Sequence, residues 1–93
     1  MDGYKFEWDE KKNQANIRKH GVDFEDANEF FTGPVYVKAD LRQDYGEERW
    51  VGLGFVNDSM VITAFTYVDV ETIRIISMRK ARNHEQKDFN KTV

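Results

Sequence analysis

Residues 49–68, RWVGLGFVNDSMVITAFTYV, hold two runs rich in β-branched and aromatic residues on either side of Asn57-Asp58-Ser59. A polar turn between two such runs predicts a β-hairpin, with strands over about Arg49–Val56 and Met60–Val68. The same grammar extends outward in both directions. Upstream, Val35, Val37 and Ala39 alternate with Tyr36, Lys38 and Asp40, and a polar loop around Asp44–Glu47 separates this strand from the hairpin. Downstream, a turn over Asp69–Thr72 leads to a strand at Ile73–Met78. Four sequential strands with short connections predict an antiparallel meander.

Helices flank the meander. Asp9 can cap a helix over about Glu10–Lys19, and Gly21 supplies the left-handed residue that ends it just after His20. Its apolar stripe is poor, with only Ala15 and Ile17 plus lysine stems, which predicts a mostly exposed helix that adds little to the core. A second short helix starts at Asp23, shows Phe24, Ala27 and Phe30 or Phe31 at helical spacing, and stops at Gly33-Pro34. The tail, about Lys80–Lys91, reads as a charged helix. The expected fold is therefore α+β: two N-terminal helices, a four-stranded antiparallel sheet and a C-terminal helix, in one domain spanning residues 1–93.

Composition narrows the chemistry. With 40% hydrophobic and 14% aromatic residues against 33% charged, the 93-residue chain is that of a globular protein, not a disordered one. No cysteine means no disulfide, no thiolate metal site and no cysteine nucleophile. No segment approaches the roughly 18 apolar residues of a membrane span, and no apolar run follows a basic start, so a cytoplasmic location is expected. The formal charge of -3 argues against a broad basic face, yet the charge is uneven. Lys11, Lys12, Arg18 and Lys19 have no acid among them, and Arg74, Arg79, Lys80, Arg82, Lys87 and Lys91 face only Glu85 and Asp88.

Several standard sites are disfavoured. Gly52-Leu53-Gly54 lies inside a strand, so it lacks the helix N-terminus of a phosphate loop; two small residues there let a helix or a flat ligand come close to the sheet. His20 and His84 have no second ligand at chelating spacing, so neither a metal nor another cofactor is expected. Ser59 and Ser77 lack an elbow sequence. What remains is a cationic set. Cleavage of RNA without a metal needs a base for the 2'-hydroxyl, a cation on the phosphorane and an acid for the 5'-oxygen, all within the chemistry of histidine, arginine, lysine and glutamate.

The stretches FEWDEKKNQANIRKHGVDFEDA (6–27), EERWVGLG (47–54) and RIISMRKARNHE (74–85) carry N-x-x-K-H-G and R-I-I-S-x-R-x-A signatures. Together they closely resemble the BrnT family of toxins from type II toxin-antitoxin pairs, over nearly the whole chain. The resemblance implies a RelE-like fold and a ribonuclease, neutralised by a BrnA-type antitoxin through which alone DNA would be contacted, in a hetero-oligomer. It places the family's polar positions on Asn16, Lys19, His20, Arg49, Arg74, Arg79 and Glu85. Catalytic work is then expected of His20, Arg49, Arg79 and Glu85, and RNA phosphate contacts of Lys19, Arg74 and Arg82. Phe89 stands where the family usually has tyrosine, which removes a hydroxyl. The competing expectation is a module that grips an antitoxin and acts as a co-repressor with weak or no nuclease activity.

Overall fold

The structure, a computed structural model, describes residues 3–42 and 44–92, apart from the side chains of residues 89–92. Nine elements alternate along it: β1 (Lys5–Glu7), α1 (Glu10–His20), a 3-10 turn (Phe24–Asp26), α2 (Ala27–Thr32), β2 (Tyr36–Ala39), β3 (Trp50–Val56), β4 (Ser59–Tyr67), β5 (Thr72–Lys80) and α3 (Asn83–Thr92). The strands form one sheet in the order β1-β5-β4-β3-β2.

The expected four-stranded antiparallel sheet is corrected to a five-stranded mixed one. β2 to β5 are the predicted meander, but β1 adds a fifth strand that runs parallel to β5, with Phe6 opposite Ile73. So short a strand cannot show a period, and its partner lies far along the chain with no turn to announce it. The helix layout differs as well. The second helix opens as a 3-10 turn capped by Asp23 before becoming α-helical, and β5 runs on to Lys80, so α3 starts only at Asn83. The class remains α+β.

The central hairpin turns on two residues. Asn57 and Asp58 both adopt left-handed backbone (φ 48° and 64°), the conformation that matches a two-residue connection to strand twist, and Val56 pairs with Ser59 across it. The core lies on one face of the sheet, where Phe24, Phe30 and Phe31 meet Val61, Phe65, Ile73, Ile75 and Met78. Phe31 is its hub, with ring centroids of Phe6, Phe30 and Phe65 at 5.5, 4.9 and 5.1 Å. Gly52 and Gly54 let α2 come close: a Cβ at Gly54 would stand 2.9 Å from the Phe30 ring. Of the two neighbours expected at these glycines, it is the helix that arrives.

α1 departs furthest from its expected role. Ala15 is exposed, and the residues turned inward are Asn13 and Asn16. The Asn16 amide donates to the carbonyls of Met78 (2.7 Å) and Val22 (2.9 Å) and accepts from the Met78 N–H (3.3 Å). β1 pairs with β5 only over Thr72–Arg74, so one edge of β5 beyond it lacks a strand, and Asn16 fills that gap as a strand's backbone would. Asn13 holds the next turn by donating to Asp23 and accepting from the Phe24 N–H. Polar side chains, not an apolar stripe, thus fix α1 against the sheet.

Candidate functional site

β5 buries Met78 under the helices and so turns Arg79 to the opposite face. There the register lines up Arg79, Ile62, Leu53 and Tyr36 across four strands, with Ser77, Ala64, Val51 and Lys38 in the next row. These rows floor a cleft of about 730 Å³, rimmed by Leu41, Arg42, Glu85 and Asp88.

At the β5 end of the cleft, Arg79 and Glu85 form a two-pronged ion pair, Nη1 to Oε1 at 2.8 Å and Nη2 to Oε2 at 2.7 Å. Only 25% and 18% of their side-chain surfaces remain accessible. Glu85 is also the third residue of α3 and accepts the Arg82 N–H at 2.7 Å, the backward half of a capping box. Hydrogen bonds from Arg79 are the main reason its carboxyl is pushed down to about 2; the same contact raises Arg79. The two prongs and a contact from Nη1 to the Lys80 carbonyl leave part of the guanidinium's donor fork open.

His20 closes α1, with Gly21 in left-handed conformation (φ 71°) returning its N–H to the Ile17 carbonyl. Partial burial, then the charges of Lys19, Arg79 and Arg82, lower its pKa from 6.5, so the imidazole is neutral at pH 7. The charges of Lys19, Arg79 and Arg82 thus reach His20, and Glu85 joins this group through Arg79 and the Arg82 N–H. Asn16, beneath them, holds backbone and is turned away from solvent.

Arg49 and Arg74 are elsewhere. Arg49 precedes β3, lies 4.0 Å over the Tyr45 ring and meets Glu47 at 3.4 Å. Arg74 lies toward the other end of β5 from Arg79 and pairs with Glu7 of β1 at 2.9 Å. The side chain of Phe89 lies outside the described residues. Among those described, no group of three or more His, Asp or Glu stands together as a metal site would need, and no helix is long and apolar enough to cross a membrane.

Sequence reasoning missed the cleft itself and one polar cluster beside it. The Asp40 carboxylate is buried, with 2% of its side chain accessible, and accepts from Arg42 Nε and Nη2 (both 2.8 Å) and from the Tyr45 hydroxyl (3.1 Å). These bonds, Arg42's first, hold it down at about 2. The cleft was foreshadowed only by the outward positions of the alternating strands, Tyr36 and Lys38 among them.

A protein-family model described as the ribonuclease toxin BrnT of type II toxin-antitoxin systems matches residues 8–85. Among solved structures, the Brucella abortus ribonuclease toxin BrnT is 35% identical, covers 86% of this chain and 99% of its own, and superimposes with a TM-score of 0.66. A comparison with curated proteins gives no match.

Proposed function

This chain belongs to the BrnT family of ribonuclease toxins of type II toxin-antitoxin systems, and from that premise we propose that it is a metal-independent endoribonuclease working at the His20–Arg79–Glu85 corner. The observation that carries this is a neutral imidazole set among three cations, beside an arginine held in place by a carboxylate. His20 takes the proton of a 2'-hydroxyl as that oxygen attacks phosphorus. The bond from phosphorus to the 5'-oxygen breaks, and the imidazolium, made acidic by the same neighbouring charges, returns its proton to the departing oxygen. The products are a 2',3'-cyclic phosphate and a 5'-hydroxyl, and His20 is regenerated.

Arg79 faces the charge that builds on the phosphorane, through the N–H groups Glu85 leaves open. Glu85, ionised at neutral pH, keeps that planar group aimed. Lys19 and Arg82 contact adjacent phosphates, whereas Arg49 and Arg74, each tethered to its own carboxylate, stand apart from the corner. Cleaved RNA halts translation and growth in the cytoplasm. A BrnA-type antitoxin covers the cationic corner in a hetero-oligomer and supplies its only link to DNA.

The test is RNA cleavage by the purified chain in the presence of a chelator. Wild type is expected to cleave, and His20→Ala and Arg79→Ala each to lose on the order of 10²-fold or more. Undiminished cleavage by the double variant removes this mechanism. Growth that continues when the chain is induced without its antitoxin favours the co-repressor reading instead.

A further inference from the structure

We propose that the cleft on the open face of the sheet is a subsite for the nucleotides beside the scissile phosphate of single-stranded RNA, with a base lying on the Leu53–Ile62–Ala64 floor and a second base stacked on Tyr36. This rests on the ribonuclease reading of the corner at Arg79. Register is the first argument. Arg79 and Tyr36 end one straight row across four strands, so at about 4.8 Å per strand they lie roughly 14 Å apart. A strand whose phosphate sits on Arg79 has a continuous path along that row within the cleft.

Shape is the second. Ala64 and Ser77 are neighbours across β4 and β5, with the larger Val51 beside Ala64 in the same row and Ile62 and Arg79 in the next. Their small side chains make this the low part of the floor, a trough within a cleft whose roughly 730 Å³ lies in the range of small-ligand sites. Chemistry is the third. Lys38 has no ion pair and the Ser77 hydroxyl no hydrogen bond among the described residues, although both line the cleft. Lys38 suits a phosphate further along the bound strand, and Ser77 a base edge. Tyr36 is half exposed, with its ring open to stacking.

The probe is a fluorescein-labelled trinucleotide of mixed sequence carrying 2'-O-methyl groups, which cannot be cleaved by 2'-hydroxyl attack. Tyr36→Ala and a Lys38→Ala, Ser77→Ala double variant are each expected to raise its Kd about tenfold or more, in keeping with stacking and contact energies at single-strand sites. Ala64→Leu, which fills the trough away from the helix-covered core, is expected to do the same. Unchanged melting by circular dichroism shows that the fold has survived. A wild-type chain that cleaves RNA while every variant binds the trinucleotide as tightly overturns the subsite alone. Variants that bind and cleave as wild type but escape a co-expressed antitoxin assign the cleft to a protein partner and overturn it too. A wild-type chain that cleaves no RNA overturns the reading beneath it as well.

Discussion

Glu85 joins three things that are separate in sequence: the aim of Arg79, the cap of α3 through the Arg82 N–H, and the charge balance beside His20. Its carboxyl is pushed down to about 2 from an ordinary 4.5, so the unfolded chain binds its proton more readily than the folded one. The stability it contributes is complete above pH 4.5 and fades as pH falls toward 2. Glu85→Gln is expected to cost about 1 kcal/mol at pH 7, discounted for partial exposure, or roughly 4–8 °C in melting temperature for a domain of this size. The gap between variant and wild type should close as melting is repeated down to about pH 2. Asp40, also near 2 and untouched by the change, leaves both proteins a shared acid sensitivity. A gap that stays constant with pH would mean the carboxylate's charge is not what holds Arg79.

At the scale of elements, the decisive contact is α2 on β3. Gly54→Ala sets a methyl 2.9 Å from Phe30 Cε2, and Phe30 is fully buried and wedged edge-on against Phe31, so the ring has nowhere easy to go. Urea unfolding should show a loss of about 1–3 kcal/mol, the usual range for overpacking. Gly52→Ala meets Val35, Phe65 and Phe30 at 3.1 to 3.4 Å and should cost less. That closeness was legible in the sequence, because glycines two apart in a strand strip one sheet face of side chains, and the bare backbone must then be covered by something that packs flat against it. So were the hairpin at Asn57-Asp58, the Asp9 and Gly21 boundaries of α1, and the meander, each of which is written in neighbouring residues. β1 was not, since its partner is remote and its length too short for a pattern. The inner face of α1 was misread for a different reason. Hydrophobicity cannot mark a face made of asparagine, and Asn16 reveals its purpose only when Met78 is found beside it. Among the candidate residues, Arg79, Arg82 and Glu85 are joined where β5 passes into α3, with His20 within reach of the two arginines' charge, whereas Arg49 and Arg74 share with Arg79 and Arg82 only a sign of charge.

For the whole molecule, a formal charge of -3 and the proposed RNA substrate are reconciled by how the cations are partnered. Arg42, Arg49 and Arg74 are each bound to a carboxylate on their own side of the fold, and Arg79 is half engaged by Glu85. The groups left to neutralise phosphate are chiefly Lys19, Arg82, Lys38 and the open side of Arg79. Binding therefore draws on about four phosphates, and for single strands each contributes about 0.7 to the slope of log affinity against log salt. Titration of a 2'-O-methyl RNA of about 12 nucleotides between roughly 50 and 300 mM salt should give a slope of about -3. A broad basic face would give one steeper than about -5. Such shallow dependence leaves much of the affinity to contacts that salt does not screen, which in this fold means the apolar floor between Arg79 and Tyr36. The slope should therefore persist in Tyr36→Ala while the affinity drops, and fall by about 0.7 in Lys38→Ala. A slope that flattens when the tyrosine is removed would show that the ring acts by ordering the phosphates and not by stacking.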